Sequence, residues 1–235
     1  MWFSRIVLAV ALTVCSAMPA LAQNVIAEWE GHIAAGARAY GLAQMDEATR
    51  EIDAALAIAQ KNFANDDARM IATLQNVVPL RRVQGKLAEA APLGEQLLAL
   101  IAKRDNDLES PELMAPLILQ AAIYREMANW EASDKAYLRT IALHDKYYGD
   151  AHPKTVTAME ERAQMLIKAG RVPEALALWG DVVDLWIYGL GTNHLREALS
   201  RRGYAEALRN AGKADEAAAQ EKLANGINEI WNNGR

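Results

Sequence analysis

The residue types that most often carry chemistry are few in this sequence, and their spacing does not bring them together. The histidines are His32, His144, His152 and His194. None stands in the His-x-x-x-His or His-Glu-x-x-His spacing that puts two imidazoles on one helical face for zinc. Asp105-Asn-Asp107-Leu-Glu109 starts like a calcium loop. It lacks the turn glycine and a bidentate glutamate at the required distance, so it reads as a solvated loop. There is no glycine-rich phosphate loop and no Gly-x-Ser-x-Gly elbow. Glu160 and Glu161 are neighbours and diverge on a helix, which makes them a solvated face rather than an acid–base pair. Cys15 is the only cysteine, and it falls in the leader described next. The expectation is no catalytic residue, no metal and no cofactor.

Residues 1–22 read as an export signal. Arg5 supplies the positive start, Ile6 to Val14 the apolar stretch, and Ala20-Leu-Ala22 the small residues a peptidase needs, with the cut after Ala22. The apolar stretch falls short of the roughly 18–20 residues of a membrane span. Val14 precedes Cys15 where a lipoprotein signal would have Gly or Ala, which argues against lipidation. The expected product is 23–235, periplasmic or secreted. Without the leader it has no cysteine, which fits a body large enough to bury a core without disulfides. The net charge of −5 becomes −6 once Arg5 is gone, which disfavours nucleic acid as a partner. No later stretch is apolar enough to span a membrane.

The elements that would position any site repeat along the chain. Glu47-Ala48, Glu89-Ala90, Glu174-Ala175 and Glu216-Ala217 share a pattern, and Trp130-Glu-Ala-Ser133 is in register with them. The steps from Ala48 to Ala90, Ser133, Ala175 and Ala217 are 42, 43, 42 and 42 residues. If this small residue is position 20, position 8 is Gly36, Val78, Ala121, Ala163 or Ala205, all modest in size. Position 15 is Ala43, Gly85, Ala128, Gly170 or Gly212, the place of a left-handed helix stop. Positions 17 and 30 are mostly apolar: Met45, Leu87, Trp130, Val172 and Ala214, then Ile58, Leu100, Leu143, Leu185 and Ile227. Small residues let two helices approach and larger apolar ones fill beside them, so each unit reads as helix A, a tight turn and helix B.

The expected helices are 25–41, 45–63, 67–84, 87–104, 112–127, 130–148, 154–169, 172–188, 194–211 and 214–231. No period-2 run suggests a strand. Glu109-Ser-Pro111, Ala151-His-Pro153 and Asn193-His-Leu195 share one register between units, so His152 and His194 read as helix-start residues. Pro79 falls inside a helix, where a kink or break is expected. Trp130 and Trp179 take core positions. Trp186 and Trp231 come late in B helices, placed to be exposed on the convex side or to cover a helix end, and Trp29 to pack the N-terminal cap. In the last unit Glu221 and Asn225 replace the larger apolar residues of positions 24 and 28, a polar face expected of a terminal repeat.

Ala121-Ala-Ile-Tyr124, Trp130-Glu-Ala-Ser133, Tyr137-Leu-Arg139 and Tyr148-Gly-Asp-Ala-His-Pro153 together resemble the 42-residue tetratricopeptide repeats of kinesin light chains. Leu190-Gly-Thr-Asn-His194 echoes the last motif without its proline. Arg162 stands where an apolar residue is usual, and Arg81 where an aromatic is usual. The resemblance implies an all-α, right-handed α-solenoid of about five helix–turn–helix repeats, at approximately 25–66, 67–111, 112–153, 154–193 and 194–235. It also implies a concave groove lined by the A helices, in which a protein or peptide partner docks.

The family's groove positions fall on Tyr40, Arg82, Arg125 and Arg209, with Lys168 beside Ile167. They fall also on Gln75, Ile118, Glu160, Gln164, Arg202 and Glu206. In a regular stack Arg82, Arg125, Lys168 and Arg209 form a basic line fit for an acidic peptide or a chain-terminal carboxylate. The other reading of these cations is ordinary solvated arginine paired with Glu126, Glu160 and Glu206. The function expected is an exported, non-catalytic scaffold for protein or peptide binding. The alternatives are a helical enzyme or enzyme subunit of the cell envelope, and a self-assembling structural repeat protein.

Overall fold

The computed structural model describes residues 20–65 and 67–233, so the apolar core of the proposed leader lies outside the described residues. The described chain forms two compact units, one ending at Leu108 and one beginning at Glu109. The first holds α1 (Ala20–Gly41), α2 (Met45–Asn62), α3 (Ala68–Val83) and α4 (Leu87–Asp105). Its hairpins are α1 on α2 and α3 on α4, joined by α2 against α3, with α1 also touching α3. The second begins with a short 3₁₀ turn, Pro111–Leu113. It continues through α5 (Met114–Glu126), α6 (Trp130–Tyr148), α7 (Pro153–Lys168), α8 (Val172–Leu190), α9 (Leu195–Asn210) and α10 (Ala214–Asn233). Here α5–α6, α7–α8 and α9–α10 are the hairpins, α6 packs on α7, α8 on α9, and α7 reaches α9. No strand occurs among the described residues, and none of their helices is long and apolar enough to cross a membrane.

Each hairpin closes over its paired small residues. Ala48, Ala90, Ser133, Ala175 and Ala217 are all buried, and so are Gly36, Val78, Ala121, Ala163 and Ala205. Any Cβ on Gly36 would stand 2.6 Å from the end of the Ile52 side chain. In the third hairpin Ser133 Oγ donates to the Ala121 carbonyl at 2.9 Å, so positions 8 and 20 touch there directly. A polar group at such a crossing is tolerated because it finds an acceptor on the facing backbone.

The turns inside the hairpins are also one structure used five times. Ala43, Gly85, Ala128, Gly170 and Gly212 all have positive φ, from 57° to 75°. In every case the next residue's N–H returns to the carbonyl five residues earlier at 2.9 Å, closing the last turn of helix A. Between hairpins a side chain starts the next helix. Asp67 accepts from the Arg69 N–H and Ser110 from the Glu112 N–H, while His152 and His194 accept through Nδ1 from the N–H two residues on. The histidines therefore have the helix-start role that the register gives them.

Some expectations need correction. Pro79 does not break α3, which runs unbroken from Ala68 to Val83. The carbonyl that loses its donor belongs to Gln75, an exposed residue, so water can reach it. Trp186 is not exposed: it is fully buried, and its Nε1 donates to Glu160 Oε1 at 2.9 Å. Trp231 does cover a helix end, donating to the Asn193 carbonyl at 2.5 Å and meeting His194 edge-on. Trp29 ties α1 to α3 through Thr73 Oγ1 at 2.9 Å.

The two arginines that depart from the repeat pattern are both compensated. Arg81 is buried and donates to Asp53 and, at 3.0 Å, to Glu89. Arg162 donates to Asp134 at 2.7 Å, and Arg171 reaches the other carboxylate oxygen at 2.6 Å. Burial works to raise the Asp134 pKa. The hydrogen bonds from Arg162 and Arg171 outweigh it and hold the carboxyl below its ordinary range.

The repeated turn makes a paired prediction. Ala128→Gly removes a Cβ from a left-handed position and raises stability by about 1 kcal/mol, while Gly170→Ala in the equivalent turn lowers it by about the same amount. Urea unfolding of the two variants measures both signs.

Candidate functional site

The groove positions expected from the sequence separate by their surroundings. In the first unit Tyr40 is half-buried against the core around Ala39 and Leu80. Gln75 is exposed on α3 and Arg82 is half-buried at its end. In the second unit Ile118 packs against the core, Arg125 pairs with Glu161 of α7 at 4.0 Å, and Lys168 is exposed.

Five of the expected residues, Glu160 and Gln164 of α7 and Arg202, Glu206 and Arg209 of α9, line a single cavity of about 730 Å³. Leu199 of α9 lines it too. Helix periodicity explains the convergence: Glu160 and Gln164 are four apart, as are Arg202 and Glu206, so each pair shares one face of its helix. The packing of α7 on α9 brings the two faces together.

The cavity has a rigid wall. Trp179 of α8 lines it, almost wholly buried, and its ring lies against Gly203 of α9. A Cβ at Gly203 would stand 2.4 Å from that ring, so only glycine leaves the indole where it is. The Trp179 Nε1 is buried without a hydrogen-bond partner. Glu160 is held from two sides: Oε1 accepts from Trp186 Nε1 of α8 at 2.9 Å and from Ser200 Oγ of α9. On the opposite side α10 contributes Glu221, which accepts from Arg209, and Asn225, which accepts from Arg202 at 3.4 Å. Arg196 also lines the cavity and lies over the Trp186 ring at 5.5 Å.

Sequence reasoning missed Trp179, Gly203, Glu221 and Asn225 as parts of a site. Trp179 reads as core from its register, and it is core, yet one edge also walls the cavity. The one available signal was Gly203, a glycine inside a helix where nothing else called for one. No group of histidine, cysteine or carboxylate side chains suited to holding a metal ion occurs among the described residues.

Residues 112–178 match the family model described as tetratricopeptide repeat. Over these residues the chain is similar to tetratricopeptide repeats. The resemblance to those of kinesin light chains extends to the fold comparison. A Podosopora anserina structure of kinesin-light-chain, nearly identical TPR-like repeats superposes with a TM-score of 0.75 at 21% identity, covering 88% of this chain and 96% of that one. BtubC (BKLC) from P. vanneervenii gives a TM-score of 0.63 at 13% identity, covering 90% and 92%. MamA gives 0.62 at 16%, covering 86% and 92%. No curated protein matches by sequence. At these identities the likeness is one of fold, an all-α solenoid of paired helices.

The wall geometry predicts the effect of one methyl group. Gly203→Ala forces Trp179 or α9 to shift and lowers stability by about 1–3 kcal/mol. Tryptophan fluorescence during urea unfolding reads both the loss and the altered indole environment; an unchanged midpoint and spectrum would show that the ring has room.

Proposed function

We propose that this protein is an exported, non-catalytic scaffold that binds an extended protein segment in the groove of its second unit. The observation that carries the reading is the convergence of Gln164, Arg202, Glu206 and Arg209 on one open cavity with a rigid indole wall. Preformed walls of this kind spare a partner the entropic cost of ordering the site. The leader at 1–22 supports export to the periplasm or the medium. Glu160 is tied to neutral donors and Glu221 to Arg209, contacts that orient these carboxylates for recognition. The acidic partner expected from the sequence loses support, because Arg125 already pairs with Glu161 and Arg209 with Glu221.

The test uses protein recovered from the envelope or medium of the exporting cell, with its N-terminus at Gln23. It is panned against a displayed random-peptide library, and the selected peptides are titrated against Gln164→Ala and Asn225→Ala variants. The expected result is peptide enrichment and a loss of affinity of about fivefold or more in each variant. Selected peptides that bind both variants unchanged would place recognition elsewhere.

A further inference from the structure

We propose that the protein pairs with a second copy of itself through α10, the two last helices lying antiparallel about a two-fold axis between Leu223 and Gly226. The face concerned is turned away from the cavity, so the inference stands apart from the groove reading.

Glu221 and Asn225 hold the cavity side of α10. The opposite side of the helix is apolar. Ala219, Leu223, Gly226 and Ile230 form one row there, spaced 4, 3 and 4 residues apart. Leu223 is 50% exposed and Ile230 57%, and Ala219 is exposed with them. The row is particular to the last unit. Ile230 takes a position that is exposed in every B helix, and the earlier ones fill it with Lys61, Lys103, Lys146 and Tyr188. Leu223 stands where the three middle units have Gln96, Arg139 and Asp181. A terminal helix facing only water would keep such polar residues. Two large aliphatic side chains in their place mark a surface that a partner covers.

The spacing points to a second copy as that partner. It is the seam spacing of a coiled coil, and it reads the same from either end with large and small residues exchanged. In an antiparallel pair Leu223 meets the partner's Gly226 and Ala219 meets the partner's Ile230, so each large side chain faces a small one. A parallel pair would set leucine on leucine and leave a gap at the glycines. A Cβ on Gly226 would meet nothing within 4 Å in a single copy, so packing inside the chain does not call for glycine there. Glycine weakens a helix interior, and a facing leucine gives this one a use.

The charges beside the row agree with the same pairing. Lys222 and Glu229 border it on one flank, both exposed, and neither is in an ion pair among the described residues. The two-fold axis sets each Lys222 against the partner's Glu229, which makes two reciprocal ion pairs. Trp231 ties the end of α10 to the Asn193 carbonyl, so the row is held in place before a partner arrives.

One helix face is small beside a standard interface, so the association is weak. Sedimentation equilibrium of the recovered protein at low salt, over a range of about 10–500 μM, measures it. The expected result is a reversible monomer–dimer equilibrium. Leu223→Gln and Ile230→Gln, both at exposed positions that leave the fold alone, each weaken the dimer about tenfold. Lys222→Glu and Glu229→Lys each weaken it about fivefold, and the double variant, with the charges exchanged, regains the parent's affinity. A protein monomeric over the whole range would overturn the proposal and leave the apolar face to a different partner. A dimer indifferent to Leu223→Gln would overturn it too, and a double variant as weak as the single ones would overturn the antiparallel pairing.

Discussion

Two helices can bring their backbones close only where both crossing residues are small, and in this chain that constraint recurs at intervals of 42 or 43 residues. Ala48, Ala90, Ser133, Ala175 and Ala217 are buried, as are Gly36, Val78, Ala121, Ala163 and Ala205 on the paired helices, and Ser133 meets Ala121 directly. Everything larger is placed by them. Once α7 and α8 close over Ala163 and Ala175, Trp179, Val182 and Trp186 fall on the side of α8 that the next hairpin must cover. Within each unit a hairpin therefore leaves its apolar flank for its neighbour, and the core is distributed among successive pairs.

The cavity follows from the same arrangement. The A helices α7 and α9 are both held at crossings, so the faces carrying Glu160, Gln164, Arg202 and Glu206 have fixed positions without contact from a ligand. The indole of Trp179 fits because α9 has glycine at 203. The bond from Trp186 to Glu160 links the buried core to the cavity's polar lining. Packing residues and recognition residues are consequently neighbours on the same helices, and a change in one set is felt in the other.

Periodicity made the fold legible. The small residues, the left-handed turns at position 15 and the helix-start histidines were each set by local chemistry that repeats, and the helices end within a few residues of where those signals put them. Pro79 leaves α3 unbroken because the residue whose carbonyl loses its donor is exposed and packing holds the helix together. The site was legible only in outline. Register placed Gln164, Arg202, Glu206 and Arg209 on the groove face, but register carries no information about which charges pair. Arg125 with Glu161 and Arg209 with Glu221 are contacts between helices, fixed by packing distance rather than by spacing along the chain. The same holds for Trp186, whose burial depends on a carboxylate from another helix.

Close approach at the crossings is tested most directly by enlarging one of them. Ala175→Leu puts a branched side chain where α7 and α8 leave no space, and equilibrium urea unfolding followed by far-ultraviolet circular dichroism measures the consequence. The account predicts a loss of about 1–3 kcal/mol with helix content retained in the folded state. A variant as stable as the parent, or more stable, would mean that the helices do not meet there and would contradict the account.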